Sequence, residues 1–352
     1  GDGVSRSSDQ TGVLNVVPGA GVTHSMSGIA EAYMDNVPLV VLACGIRQDT
    51  GAAFQLHDID QLAVLRPVTK EAVRIATAAE IYPTIRRAFQ IARRAPAGPV
   101  AVEIPADFLM LTQDAPDPVW KPNPELERTA DRDLVERAAR LLGEAKRPAL
   151  YVGAGAVDGR HELITLAEQL GAPVVTTFQG KGVFPESHPL WLWSGIGRTT
   201  PPFVRTIMER CDCLLAVGCR FGEVATGSYG METPETLIHV DIDPKVLGRN
   251  LPTTLAVAAD AGDFLRRLTT LIEGKRPFDG LAREIAEGHE KVGRSWRKSV
   301  SRNRVTPHAF FSSLQRHCGD DAIYTTDSGN GTFLAAEHLR LNHPRCFLGP
   351  ID

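Results

Sequence analysis

Apolar and polar positions fall in blocks along the chain. The first block, Val13-Leu14-Asn15-Val16-Val17, is β-rich and breaks at Pro18-Gly19-Ala20-Gly21. Met26, Ile29, Ala30 and Tyr33 then fall at i, i+3, i+4 and i+7, which predicts a helix capped by Thr23. Asp35-Asn36 ends that helix, and the run 38–43 reads as a second buried strand. Strand, glycine turn, helix and strand make a βαβ unit, whose turn lies at the strand carboxyl ends where such folds bind ligands. Glycine there lets a backbone approach a flat ring or a phosphate, because no Cβ intervenes.

The same alternation continues downstream. Ile81, Ile85, Phe89 and Ile91-Ala92 follow helical spacing over 81–94, and 98–105 forms a short strand that closes a first domain, 1–112. A proline-rich linker follows at 113–128. From 129 to 275 helix and strand alternate again. Leu134, Ala138, Leu141 and Leu142 mark a helix, and strands are expected at 148–152, 173–177, 213–217 and 237–241. The segment 276–305 reads as a connecting helix, with Ile285, Val292 and Trp296 at near-helical spacing. Thr306-Pro307 opens another helix, and 322–326 is a strand that ends in Asp327-Ser328-Gly329-Asn330-Gly331-Thr332.

Composition narrows the function classes. A chain of 352 residues supports two to three domains with substantial cores. Net charge is −4 with no basic block, so nucleic acid and anionic membranes are excluded as partners, and no apolar run reaches the length of a membrane span. Six cysteines are scattered, and Cys211-x-Cys213 leads into an apolar strand with no second pair and no spaced histidines; no metal site is expected. Free thiols suit a reducing compartment, so a cytoplasmic location is expected.

The block 12–70 resembles the pyrimidine-binding domain of thiamine-diphosphate enzymes of the acetolactate synthase group. The resemblance is carried by Gly19-x-Gly21-x-Thr23, by Gly28-Ile29-Ala30-Glu31-Ala32-Tyr33-Met34-Asp35, by Val37-Pro38-Leu39-Val40-Val41, by Ala53-Phe54-Gln55 and by Arg66-Pro67-Val68-Thr69-Lys70. It implies an α/β fold: parallel-sheet domains of the thiamine-diphosphate-binding type flanking a Rossmann-like central domain. It also implies thiamine diphosphate and Mg²⁺ as cofactors. Pro18, Gly19, Gly21 and His24 would line the pyrimidine side, His24 standing where relatives have asparagine. Phe54 and Gln55 would reach substrate and cofactor, often across a subunit boundary. His57, beside Asp58, could relay protons or be a solvated loop histidine, and Lys70 would lie near the substrate entrance.

Gly329-Asn330-Gly331 resembles the turn that holds the cofactor's diphosphate on backbone N–H groups. In the central region Gly153, Gly155, Arg220, Asp241 and Asp243 resemble positions that bind FAD or an adenine nucleotide, although Val224 replaces an arginine. NAD is rejected, because Thr176-Thr177 stands where its ribose-binding acid is required. Gly1-Asp2-Gly3 is read as the end of a helix rather than the metal-binding motif, since no Asn-Asn follows. The resemblance places the family's catalytic glutamate upstream of Gly1, and its Mg²⁺ ligands beyond Asp352. The chain is therefore expected to be truncated at both ends and inactive alone. Its parent is expected to decarboxylate and carboligate a 2-oxo acid, most directly pyruvate to acetolactate, as a homodimer or homotetramer. The alternatives are a benzaldehyde-lyase-like, oxalyl-CoA-decarboxylase-like or sulfoacetaldehyde-acetyltransferase-like enzyme, a non-catalytic nucleotide-binding module, or a purely structural chain.

Overall fold

The computed structural model describes residues 1–114, 121–122, 128–197, 200–299 and 301–350. The chain separates into two compact units, Gly1–Leu126 and Glu127–Asp352. Most of the expected linker, 113–128, lies outside the described residues.

In unit 1 the short helix α1 (Asp2–Ser7) precedes β1 (Gly12–Val16), α2 (Ala20–Met34) and β2 (Leu39–Cys44). Then come α3 (Gln61–Leu65), β3 (Glu71–Arg74), α4 (Ile81–Arg93), β4 (Pro99–Ile104) and α5 (Ala106–Met110). The four strands form one parallel sheet in the order β1-β2-β4-β3. The central strand β4 is buried along its whole length, which is why Pro99–Ile104 is nearly continuously apolar. Packing splits across the sheet. Val22, Ile29, Ala32 and Leu65 cover one face; Ala88, Ala92 and Ile75 cover the other.

The helix after β1 starts earlier than its apolar spacing predicts. It begins at Ala20, with Gly19 at φ +60° as its N-cap, and Thr23 lies inside it, donating to the Ala20 carbonyl. The positive φ at Gly19 turns the chain directly from strand into helix, so no side-chain cap is needed.

Unit 2 contains α6 (Arg132–Glu144), β5 (Pro148–Val152), α7 (Arg160–Leu170), β6 (Val174–Thr176) and β7 (Trp191–Ser194). These are followed by α8 (Pro202–Glu209), β8 (Cys213–Val217), β9 (Thr236–Asp241), β10 (Leu255–Ala258), α9 (Ala261–Leu271) and α10 (Asp279–Lys298). Its six-stranded sheet is wholly parallel, in the order β10-β9-β8-β5-β6-β7. Order reverses beside β5, giving the doubly wound, Rossmann-like topology. Strands β7 and β10 were not apparent from periodicity. They are the sheet's two edge strands, and each spans four residues.

The remaining elements, α11 (Pro307–Cys318), β11 (Tyr324–Thr325), α12 (Asn330–His338) and β12 (Phe347–Leu348), pack within the same unit. Strand β11 is only two residues long, because its parallel partner β12 is equally short. Alone such a pair could not bury its apolar face; here Phe178 and Val224 from the larger sheet's loops help to cover Tyr324, Ala335 and Phe347.

Candidate functional site

The carboxyl ends of the unit 1 strands surround a cavity of about 410 Å³. Pro18 follows β1, Ile46, Arg47, Gln48, Gly51 and Ala52 follow β2, Arg74 ends β3, and Glu103 lies one residue before the end of β4; all line the cavity, as do Gln55, His57, Asp58 and Gln61. Parallel strands bring their carboxyl ends to one edge, so residues separated by up to 85 positions meet without any local signal linking them (Pro18 to Glu103).

Gln61 organises the site. It is 2% exposed, its Oε1 accepts from Gly19 N at 3.2 Å, and its Nε2 donates to the Cys44 carbonyl at 3.0 Å. One amide side chain thus joins the glycine turn after β1 to the end of β2. Asp60 caps α3 by accepting from Ala63 N, which sets the direction of Gln61. A Cβ on Gly19 would lie 2.8 Å from the His57 carbonyl oxygen, so this glycine makes room for the 45–60 loop.

That loop carries most of the expected site residues. Gln55 donates through Nε2 to the carbonyls of Arg47 and Ala52, and Asp107 accepts from Gln48 N, so the loop is held to itself and to α5. His57 adopts φ +66° on the cavity's exposed rim. Phe54 adopts φ +58° and is fully exposed, outside the cavity lining. His24 is exposed on α2 and is not among the lining residues either; Gly21 faces Val17.

Lys70 is held elsewhere. Its Nζ donates to the carbonyls of Ile91, Arg94 and Pro96 at 2.6, 2.5 and 2.7 Å, closing the C-terminal end of α4. Burial and the neighbouring Arg94 push its pKa down to about 8.

Arg74 and Glu103 were not foreseen. Arg74 Nε lies 3.0 Å from Glu103 Oε1, and the two residues are register partners on adjacent strands. Glu103 is 3% exposed, and its Oε2 has no hydrogen-bond partner among the described residues. A sequence signal did exist: a carboxylate set inside Val100-Ala101-Val102-Glu103-Ile104, a run with the composition of a strand buried on both faces.

In unit 2 the glycine turn after β5 is packed against protein. A Cβ on Gly153 would meet the Gly218 carbonyl oxygen at 2.0 Å, and one on Gly155 would meet Gly218 Cα at 2.9 Å. These glycines allow two strand-end loops to touch, backbone to backbone. Phe221 stacks on buried Tyr151 at 5.6 Å, and the Tyr151 hydroxyl donates to the Ala225 carbonyl. Asp241 accepts from Asp243 N at 2.9 Å; burial pushes its carboxyl up to about 6, while Arg220 opposes that rise. A second cavity, about 520 Å³, lies beyond β7, lined by Phe178, Trp193, Phe333, Glu223 and Glu337 among others. Gly329-Asn330-Gly331 is exposed at the start of α12, and a Cβ on either glycine would touch nothing within 4 Å.

Among the described residues no helix is long and apolar enough to cross a membrane, and no group of three or more His, Cys, Asp or Glu is placed to hold a metal. Cys211 and Cys213 are free thiols whose burial pushes both up to about 12.

Comparison with known families decides the assignment. The family described as thiamine pyrophosphate enzyme, N-terminal TPP binding domain, matches residues 1–64. Thiamine pyrophosphate enzyme, central domain, matches residues 135–268. The chain belongs to the thiamine pyrophosphate enzyme family. Its parallel α/β units are therefore the family's N-terminal and central domains. Similar proteins include the probable acetolactate synthase large subunit of Methanocaldococcus jannaschii, 31% identical over 99% of this chain and 61% of the relative. The acetolactate synthase isozyme 3 large subunit of Escherichia coli is 29% identical over 98% of this chain and 62% of the relative. Acetolactate synthase 1, chloroplastic, of Zea mays is 30% identical over 98% of this chain and 55% of the relative. The chain thus spans between 55% and 62% of the length of these relatives.

Proposed function

We propose that the protein containing this chain is a thiamine-diphosphate-dependent enzyme that decarboxylates pyruvate and joins the remaining two-carbon unit to a second pyruvate, giving acetolactate and carbon dioxide. The observation that supports the proposal is the cavity at the carboxyl ends of β1–β4, lined by Gln55, which matches the family motif, and by the sequence candidates Pro18 and His57. When bound, thiamine diphosphate supplies the electron sink that lets a 2-oxo acid lose carbon dioxide and its acyl carbon join another carbonyl.

The residues present fit parts of that cofactor. The open Gly329-Asn330-Gly331 turn would present the Asn330 and Gly331 N–H groups of α12 to a diphosphate, while Thr332 N already donates to the Gly329 carbonyl. Pro18 and Gly19 would stand on the pyrimidine side. Arg74, paired with Glu103, and Arg47, paired in bidentate fashion with Asp49, stand on the cavity wall, where a substrate carboxylate would compete for their guanidinium groups. Gln55 fixes the loop through the Arg47 and Ala52 carbonyls, and His57 places an imidazole at the rim. The fit to FAD is weaker. Gly153 and Gly155 spend their missing Cβ atoms on contact with Gly218, so no step is assigned to a flavin or an adenine nucleotide.

The full-length protein is tested by measuring pyruvate consumption, carbon dioxide and acetolactate with thiamine diphosphate and Mg²⁺. Activity that needs both cofactors supports the proposal. Cofactor binding without pyruvate consumption sinks pyruvate as the substrate. We also propose a homodimer or homotetramer, supported by the full exposure of Phe54 and strong exposure of Leu56 on the active-site loop. A monomeric mass by light scattering at micromolar concentration would refute it.

A further inference from the structure

We propose that Gln61 is a positioning residue for the thiamine cofactor. Its side-chain amide sets the distance between the glycine turn after β1 and the end of β2, and through that turn the affinity for thiamine diphosphate. This rests on the reading above, in which Pro18 and Gly19 stand on the pyrimidine side.

Gln61 is the first residue of α3, is 2% exposed and lines the unit 1 cavity. The direction of its side chain is fixed at the root. Asp60 caps the helix by accepting from Ala63 N, and Gln61 N donates to the Ile59 carbonyl at 2.8 Å. At the tip, the amide commits one acceptor and one donor to backbone. Oε1 accepts from Gly19 N at 3.2 Å, and Nε2 donates to the Cys44 carbonyl at 3.0 Å. Glutamine carries donor and acceptor on one planar group, so meeting both partners leaves little freedom to either strand end.

The turn it holds has no cap of its own. Gly19, at φ +60°, is the N-cap of α2 and brings no side chain. The 45–60 loop approaches it through backbone, since a Cβ on Gly19 would lie 2.8 Å from the His57 carbonyl oxygen. Pro18, immediately before, lines the cavity. An apolar side chain of equal size could fill the place of Gln61, but it could not tie the two strand ends together. A turn already held in place meets a ring without first having to be ordered, and that ordering would otherwise be subtracted from affinity.

The test is calorimetric titration of the full-length protein with thiamine diphosphate at saturating Mg²⁺. The unaltered protein is compared with Gln61→Met, Gln61→Glu and, as a control, Lys70→Met. Lys70 also ties backbone groups in unit 1 but does not line the cavity. Gln61→Met is expected to weaken binding about tenfold and Lys70→Met less than about twofold, although both lower stability. Gln61→Glu supplies a pH profile. Its ionised carboxylate accepts from Gly19 N but faces the Cys44 carbonyl without a hydrogen; protonated, it donates there and restores both bonds. Its affinity relative to the unaltered protein should therefore recover as pH falls from about 8 to about 6, while the Gln61→Met ratio stays flat. The cavity's other charged groups, Arg47, His57, Asp58, Arg74 and Glu103, are common to all the proteins, so the ratio removes their titration. Unchanged affinity in Gln61→Met overturns the proposal, as does an equal loss in Lys70→Met. Should Gln61→Met fail to fold, the Gln61→Glu profile decides, and a flat one overturns the proposal. If the unaltered protein binds no thiamine diphosphate, the cofactor reading falls and takes the proposal with it. If it binds and Gln61→Met binds equally well, only the role of Gln61 falls.

Discussion

Lys70 carries its ammonium into the last turn of α4, where three carbonyls would otherwise face it unpaired. Its place in the Arg66-Pro67-Val68-Thr69-Lys70 motif made it a substrate candidate; its contacts make it a clamp. Lys70→Met is expected to lower unfolding free energy by about 2–3 kcal/mol in urea titrations, through the stranded carbonyls. The KM for pyruvate should stay within about twofold, since no interaction with substrate is lost. A large rise in KM at unchanged stability would restore the substrate role. Gln61 and Glu103 make the opposite case. Neither belongs to a motif, yet one fixes the glycine turn and the other lines the cavity. Gln and Glu have no periodicity of their own to betray them; only the apolar run around Glu103 marks it as out of place.

At the scale of elements, α12 shows how a short helix is anchored. Lys181 is fully buried and donates to Glu186 Oε1 at 2.7 Å and to the carbonyls of Ala336 and Leu339 at 2.9 and 3.2 Å. Glu186 Oε2 in turn accepts from Leu341 N. A buried ion pair thus closes the C-terminal end of the helix whose first turn would hold the diphosphate. Lys181→Met is expected to cost about 3–5 kcal/mol, because it leaves Glu186 as an uncompensated buried charge. The double variant Lys181→Met with Glu186→Leu should recover part of that loss but not all, since the carbonyls and Leu341 N stay unpaired. Chemical denaturation of the three proteins checks this. The start of α11 was legible, Thr306 capping it by accepting from Ala309 N ahead of Pro307, as local chemistry requires. The start of α2 was not, because a glycine at positive φ replaced the side-chain cap.

Across the whole molecule, two buried groups give stability opposite slopes with pH. Burial pushes Asp241 up to about 6, above its ordinary carboxylate value. Its stabilising contribution is complete below the unfolded value of about 4 and is lost as pH rises through about 6. His289 stacks on Trp191 and Trp193 and touches Phe203, and burial, with Arg340 nearby, pushes it down to about 4. Its contribution is complete above about 6.5 and is lost as pH falls through about 4. Melting temperatures between pH 4 and 6.5 should therefore rise more steeply with pH in Asp241→Asn than in the unaltered protein, and less steeply in His289→Phe. Parallel profiles for all three would contradict both assignments.

The sequence by itself determined the βαβ order, the parallel sheets and the family. These rest on periodicity, turn residues and short motifs, all of which are read within a few neighbouring positions. Tertiary structure alone decided which motif residues share the cavity, that Gly153 and Gly155 meet Gly218, and that Lys70 and Lys181 hold carbonyls. The physical reason is distance along the chain. Lys181 and Ala336 are 155 positions apart, and Gly19 and Gln61 are 42 apart. Whether a polar side chain is buried, and what satisfies it there, is set by segments that only the folded sheet brings together.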